Sequence, residues 1–127
     1  MTRKFQSSKE DKLELLFRKQ LELTRKMRNV DNKMSSIYKK KEVFRGYRVF
    51  MLSTALIHEA IELQRETNWK WWKHNSVAPL ENCQQELIDI WHFVIQLSIE
   101  LKLDPSGLIE KYTIKHDQNV QRQKEDY

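Results

Sequence analysis

Turn-forming residues are scarce in this chain of 127 residues, which contains only two glycines and two prolines. A fold built from many strands needs many tight turns, and those turns commonly use glycine or proline. The sequence therefore argues against a β-sandwich or a β-barrel and favours a few long helices. Its length fits a single domain over residues 1–127, because most domains contain ~100–150 residues.

Cysteine and long apolar runs are equally scarce. The single cysteine, Cys83, can form neither an intrachain disulfide nor a cysteine-based zinc site, which favours a reducing compartment. Residues 1–12 are polar and lack the apolar core of a signal peptide. No segment approaches the ~18 apolar residues that a membrane span requires. We therefore expect a soluble, cytoplasmic protein with no membrane contact.

Charged residues, by contrast, are abundant and make up 32% of the chain, against 39% hydrophobic residues. This balance is typical of long amphipathic helices with solvated outer faces. The 23 lysines and arginines outnumber the 18 acidic residues and give a net charge of +5. The excess of positive charge favours an anionic partner such as a nucleotide, a nucleic acid or an anionic membrane surface.

Apolar residues recur at three- and four-residue spacings in four stretches, which predicts an all-α, four-helix-bundle-like fold. The four predicted helices span about 8–29, 42–67, 79–103 and 105–121. Ser7 or Ser8 is the predicted N-cap of the first helix, and Asp104 that of the fourth. The predicted core includes Phe17, Met51, Leu87 and Trp91. We expect a homodimer or larger homo-oligomer to cover the apolar surface that remains.

Two pairs of acidic residues interrupt the most apolar parts of the second and third predicted helices. Glu59 and Glu62 form one pair, and Glu86 and Asp89 form the other. Residues three apart share a helix face, so antiparallel packing of these helices would bring four carboxylates together. Like charges at such distances raise one another's pKa, and a divalent cation relieves the repulsion. All-oxygen ligation suits Mg²⁺ or Mn²⁺ better than Zn²⁺.

The acidic pairs have other interpretations. Glutamates three apart are common on solvated helix faces, where they bind nothing. A ferritin-like di-iron site would need two Glu-x-x-His motifs. Only His92, three residues after Asp89, has an acid at that spacing, so the di-iron interpretation is poor.

Magnesium held by carboxylates also contacts substrate phosphates, which suits hydrolysis of a phosphoanhydride.

A second group of polar residues lies near the end of the chain. Lys115, Asn119 and Arg122 follow at spacings of four and three and share one helix face, with Tyr127 beyond them. Arginine offers a bidentate fork, lysine a point charge and tyrosine a hydroxyl, which together suit a phosphate chain. The alternative is a solvated helix end whose cations complement the helix dipole.

Aromatic and basic residues are interleaved at 70–73, where the sequence reads Lys-Trp-Trp-Lys. These tryptophans are either core anchors or surfaces on which a base stacks beside a phosphate. Together with the positive net charge, the segment keeps open a small basic helical protein that binds nucleic acid. That hypothesis leaves the acidic pairs unexplained, because without metal they would repel phosphate.

Taken together, these segments resemble the all-α nucleotide pyrophosphohydrolases, and in particular the dimeric dUTPase branch related to MazG. The resemblance extends over about residues 16–127. It is carried by the stretches 55–63, 70–72 and 86–93 and by the C-terminal pattern Lys115-x-x-x-Asn119-x-x-Arg122-Gln123-x-x-x-Tyr127.

The resemblance implies Mg²⁺-dependent cleavage of dUTP to dUMP and pyrophosphate. The metal ligands would be Glu59, Glu62, Glu86 and Asp89. Glu62, with Glu59 beside it, would orient and deprotonate the attacking water. The residues implied in substrate binding are Gln20 at the pyrimidine, Lys70 and Trp72 closing the site, Asn119 at the deoxyribose or a phosphate, and Lys115, Arg122 and Tyr127 at the phosphate chain.

The chain departs from the family's usual pattern at two positions. Thr24 stands where aspartate or asparagine is usual, and Asn68 stands where a glycine is usual. The segment between the second acidic pair and the C-terminal motif is also shorter than in the larger members. Since the metal site is indifferent to the base, hydrolysis of dCTP or of a broader set of nucleoside triphosphates stays open.

Overall fold

The computed structural model describes residues 9–27, 40–74 and 78–125. Within these ranges the chain forms four helices and no strand, which confirms the predicted all-α fold. The helices are α1 (Lys12–Lys26), α2 (Lys41–Arg65), α3 (Leu80–Glu100) and α4 (Pro105–Glu125). None of the described helices is long and apolar enough to cross a membrane.

Helix α1 begins later than the apolar spacing predicts. The carboxylate of Asp11 accepts the backbone N–H of Glu14 at 2.8 Å, and the Glu14 carboxylate accepts the N–H of Asp11 at 3.1 Å. This reciprocal capping box satisfies two of the free N–H groups at the helix start. The predicted caps, Ser7 and Ser8, lie outside the described residues. A capping box within the predicted helix therefore sets its first residue.

The junction between α3 and α4 is close to the prediction. Asp104 accepts the backbone N–H of Gly107 at 2.7 Å and so caps α4, as predicted. Helix α3 ends at Glu100, before the predicted residue 103, because Lys102 adopts a left-handed conformation with a φ of 60°. The N–H of Leu103 donates to the carbonyl of Ser98, which completes a Schellman motif.

Helices α2 and α3 pack side by side and run antiparallel. At one end of the pair, Arg48 Nε lies 2.7 Å from Glu100 Oε2. Toward the other end, Glu59 and Glu62 of α2 meet Glu86 of α3. Helix α1 packs against α3 and also contacts α4. This arrangement leaves α2, α3 and α1 around a common groove.

The single chain buries little apolar surface. Phe17 on α1 and Ile95 on α3, with 5% and 6% of their surface exposed, are the most buried apolar side chains among the described residues. The prediction for Phe17 is therefore confirmed. Met51, Leu87 and Trp91 were predicted in the core but are 47%, 43% and 50% exposed, because no described element covers their helix faces. The predicted homodimer would cover such faces and stays a prediction.

Replacing Lys102 by glycine should stabilise the protein by about 1 kcal/mol. A left-handed conformation costs an ordinary L-residue about 1–2 kcal/mol, and glycine, which has no Cβ, avoids that cost. Urea-induced unfolding of Lys102→Gly and of Lys102→Ala would measure the effect. The alanine variant removes the same side chain but retains the Cβ, so we expect no comparable gain from it. Equal stabilisation by both variants would contradict the backbone explanation.

Candidate metal centre and adjoining cavity

Three of the four predicted acidic ligands meet where α2 packs against α3. One carboxylate oxygen from each of Glu59, Glu62 and Glu86 lies within 4.8 Å of the other two. Glu59 and Glu86 are half-buried, while Glu62 is exposed. The three-residue spacing puts Glu59 and Glu62 on one face of α2, and the antiparallel packing brings Glu86 to that face. We call these three residues the acidic cluster.

Asp89 lies near the acidic cluster, but its carboxylate is not among the oxygens that lie within 4.8 Å of one another. Its negative charge raises the pKa of both Glu59 and Glu86, which places it within electrostatic reach of each. One further acid, Glu66, also raises the pKa of Glu86. Glu66 was not among the predicted ligands, although it follows Glu62 by four residues and so lies on the same helix face.

Glu59 on α2 and Glu86 on α3 are harder to ionise than ordinary glutamates. Burial is the largest cause that raises the pKa of Glu59, followed by the charge of Glu62. His58 acts in the opposite direction on Glu59. Burial is also the largest cause that raises the pKa of Glu86, and the charge of Glu62 is again the second. Glu62 therefore disfavours the ionised form of a carboxylate on each helix.

Two oxygen atoms in the acidic cluster have no hydrogen-bond partner within the described chain. They are Oε2 of Glu59 and Oε2 of Glu86, and both are buried. A buried oxygen without a partner costs free energy that a bound cation or a donor would offset. The donor set consists of carboxylate oxygens, the ligands that Mg²⁺ and Mn²⁺ prefer. The residues present therefore fit a hard divalent cation.

A cavity of ≈ 390 Å³ lies between α1, α2 and α3. Its walls are mainly apolar, with a few polar side chains, a composition typical of small-molecule pockets. Phe93, which lines it, follows Glu86 of the acidic cluster by seven residues, or about 10 Å along the same face of the helix. The cavity and the acidic cluster are therefore neighbours along α3. The lining residues are Gln20, Leu23, Thr24, Met27, Tyr47, Arg48, Met51, Leu52, His92, Phe93 and Gln96.

Gln20, the residue predicted to read the pyrimidine, lies in this cavity and is 8% exposed. Its Nε2 donates to Gln96 Oε1 at 3.1 Å, and its Oε1 is 2.9 Å from Nδ1 of His92. Since a carboxamide oxygen only accepts, the Nδ1 of His92 carries the proton of this hydrogen bond. Gln96, which is 5% exposed, was not among the predicted site residues. A glutamine within the apolar stretch of α3 was its only signal in the sequence.

Lys70 and Trp72 lie in the turns that follow α2. Lys70 Nζ is 5.2 Å from the centroid of the Trp69 ring, a distance typical of a cation–π contact. Trp72 stands edge-to-face between Trp69 and Trp71, with centroid distances of 5.9 and 5.8 Å. Trp71 is 84% exposed, and the other two tryptophans are more than half exposed. These indoles form a surface cluster and do not anchor a core in the single chain.

The predicted phosphate-binding residues lie on the exposed part of α4. Lys115 and Asn119 line a shallow hollow with Tyr112 and His116, and Arg122 follows one turn later. Every residue from 109 to 125 is exposed, so the single chain does not pack these side chains against the acidic cluster. Tyr127 lies outside the described residues. The roles of all four residues stay predictions.

The fold and the site define a class of protein: an all-helical chain in which a carboxylate cluster borders a small apolar cavity. A family model described as dUTPase matches residues 12–107, which are most of the chain. The chain therefore belongs to the dUTPase family. The match includes Gln20 and both acidic pairs, and it ends before Lys115. Comparisons with curated proteins and with solved structures gave no significant match.

Replacing Glu62 by glutamine should stabilise the metal-free protein at neutral pH. Because the pKa of Glu59 and Glu86 is raised on folding, the folded chain holds protons that the unfolded chain releases. Stability therefore falls as the pH rises from the ordinary glutamate range, about 4.3, through the raised pKa of these groups. Loss of the Glu62 charge brings the pKa of Glu59 and Glu86 closer to the ordinary range, so the protein loses less stability as the pH rises. Thermal unfolding in excess chelator at neutral and at acidic pH would measure it.

The gain should be present at neutral pH and absent at a pH where the neighbouring carboxyls are protonated in both states. Glu110→Gln is the matched control, since Glu110 is an exposed glutamate on α4 outside the acidic cluster. A gain of the same size at both pH values, or in both variants, would contradict the assignment to charge repulsion.

Proposed function

We propose that this protein is a Mg²⁺-dependent dUTP diphosphatase that hydrolyses dUTP to dUMP and pyrophosphate. The observation that carries the proposal is the convergence of Glu59, Glu62 and Glu86 beside the cavity that contains Gln20. Membership of the dUTPase family supports dUTP as the substrate. The buried, unpartnered oxygens of two of the glutamates support a cation at the acidic cluster.

The four acids Glu59, Glu62, Glu86 and Asp89 would hold Mg²⁺, with Mn²⁺ as a substitute. When bound, the metal would lower the pKa of a coordinated water and offset the negative charge on the phosphates. Glu62 is the exposed member of the acidic cluster, so its carboxylate is accessible to the attacking water. We assign Glu62 the role of orienting that water and accepting its proton. Glu59, which lies beside it on the same face of α2, would assist in this role.

The base of the substrate would occupy the cavity, with the Gln20 carboxamide hydrogen-bonded to the pyrimidine edge. Apolar side chains such as Leu52 and Phe93 line the cavity and would exclude water from the ring. The triphosphate would then extend along α3 toward the acidic cluster, past Asp89. In this arrangement the base would lie at Gln20 and the phosphates at the metal.

The cationic residues of α4 would complete the site. Lys115 and Arg122 would neutralise the phosphate chain, Asn119 would hold the deoxyribose or a phosphate, and Tyr127 would add a hydroxyl. Because α4 is exposed in the single chain, we propose that a second copy packs against it in a homodimer. Lys70 and Trp72, near the end of α2, would close the site over the substrate.

A second candidate is the hydrolysis of dCTP or of a broader set of nucleoside triphosphates. The observation that favours it is chemical: the acidic cluster would hold a metal that contacts the phosphates, and neither metal nor phosphate depends on the base. A panel of the common dNTPs and NTPs, incubated with Mg²⁺ and resolved by chromatography, separates the candidates. We expect dUMP and pyrophosphate from dUTP, and no hydrolysis in excess chelator. Preference for dCTP would support the second candidate, and inactivity on the whole panel would contradict both.

Glu62→Gln should abolish turnover while the protein stays folded. Removing a general base commonly slows a reaction by 10²–10⁴-fold, so we expect kcat for dUTP to fall by about 100-fold or more. Glu110→Gln, outside the acidic cluster, is again the matched control and should retain the wild-type rate. Circular dichroism would verify that both variants fold. Near-normal hydrolysis by the folded Glu62→Gln variant would refute the role given to Glu62.

Arg122→Ala should weaken substrate binding far more than it affects folding. A charge-assisted hydrogen bond contributes about 1.5–3 kcal/mol, which corresponds to a rise in KM of about 10- to 100-fold. Lys124→Ala is the matched control, because Lys124 is an exposed cation two residues away and so lies on a different helix face. If KM is unchanged in Arg122→Ala, the phosphate chain is held elsewhere.

A further inference from the structure

The polar side chains at the cavity form one connected network between α1 and α3. Gln20 Nε2 donates to Gln96 Oε1, and His92 Nδ1 donates to Gln20 Oε1. Gln20 and Gln96 are 8% and 5% exposed, so water competes little with these hydrogen bonds. Both polar ends of the Gln20 carboxamide are therefore engaged by α3 before any ligand binds.

This network favours one orientation of the carboxamide over the other. The oxygen and the nitrogen of a carboxamide are nearly equal in size, so a free glutamine can exchange them by a half-turn. With its partners unmoved, a half-turn would set Gln20 Oε1 against Gln96 Oε1. It would also set the Gln20 amino group against the N–H of His92. Two acceptors would then face each other at one end and two donors at the other.

Gln96 is itself held from α1. The hydroxyl of Thr24, one turn after Gln20, donates to the same Oε1 atom of Gln96. That hydroxyl also lies 2.9 Å from the carbonyl oxygen of Gln20. Two groups of α1 thus converge on one buried oxygen of α3. Loss of that oxygen would leave the amino group of Gln20 without its acceptor, whereas the Thr24 hydroxyl would keep the Gln20 carbonyl as an acceptor. The Gln20 carboxamide would then be restrained only by His92.

The orientation of the Gln20 carboxamide matters because uracil and cytosine present opposite patterns of hydrogen-bond donors and acceptors. Uracil offers an N3–H donor beside the O4 acceptor, whereas cytosine offers an unprotonated N3 beside an amino group. Gln20 retains a second N–H and a second oxygen lone pair for a ligand. A carboxamide of fixed orientation complements one of the two edges, and a freely turning carboxamide complements both.

We propose that Gln96 is a positioning residue that fixes the Gln20 carboxamide through the Gln20–Gln96 hydrogen bond and thereby makes the site select uracil over cytosine. The proposal rests on the proposed function, because it requires Gln20 to contact the pyrimidine of the substrate. Gln96 acts through Gln20 and has no part in the chemical step. Its loss should therefore change the choice between two substrates more than the rate of the preferred one.

The test is the ratio of kcat/KM for dUTP to kcat/KM for dCTP in Gln96→Met. Methionine has a similar length and no strong acceptor, so Gln20 loses one of its two restraints. We expect the ratio to fall about threefold to tenfold, the range that one hydrogen bond supports. A purely structural role would lower kcat/KM for both substrates together and leave the ratio unchanged.

Two further variants make the test decisive. Ser98→Ala is the matched control: Ser98 is 9% exposed on the same helix, and its hydroxyl donates only within that helix, to the carbonyl of Val94 at 2.8 Å. Its ratio should equal that of the wild type. Thr24→Val removes the second donor to Gln96 and should lower the ratio by a smaller factor. It decides the question if Gln96→Met fails to fold, which thermal melting would reveal.

The outcomes separate this inference from the proposed function. If the wild type prefers dUTP and the folded variants retain the wild-type ratio, the inference is overturned and dUTP hydrolysis stands. If the wild type cleaves dUTP and dCTP equally well, the inference is overturned as well, because a held carboxamide distinguishes them. If the wild type cleaves neither, the proposed function fails, and the inference fails with it.

Discussion

Repulsion between like charges, held in a half-buried helix interface, is the constraint on which the candidate site depends. Glu59, Glu62 and Glu86 bring oxygens within 4.8 Å of one another, and burial and repulsion raise the pKa of Glu59 and Glu86. Packing of α2 against α3 must offset this cost in the metal-free chain. The same packing pre-arranges oxygen ligands, so a cation would meet a site that already exists and would relieve the repulsion.

The two ends of the α2–α3 pair differ in their electrostatics. At one end, Arg48 and Glu100 form an ion pair of opposite charges whose side chains are 15% and 16% exposed. At the other end carboxylates of like charge lie together, and two of their oxygens lack a hydrogen-bond partner within the described chain. The Arg48–Glu100 pair balances its own charges, whereas the acidic cluster would need a bound cation to balance its charge. The cavity, whose lining includes Arg48, lies toward the end with the ion pair.

Helix content was predictable because it depends on local spacing. Apolar residues at three- and four-residue intervals gave the four helices, and Asp104 capped α4 as expected. The exposure of Met51 and Trp91 was not predictable in this way. Helical spacing identifies an apolar face but does not say whether a single chain has enough other surface to cover it. The start of α1 at Lys12 depended on a local competitor, the Asp11–Glu14 capping box.

For the site, the sequence by itself determined which acids share a helix face, because residues three apart are neighbours on any helix. It also determined membership of the dUTPase family, through residues distributed over most of the chain. Only the tertiary structure decided that Glu86 meets Glu59 and Glu62, and that Gln20 bonds to Gln96, 76 residues away. These contacts depend on how the helices pack and in which register. That register is set by the packing of whole helix faces, which no local pattern specifies.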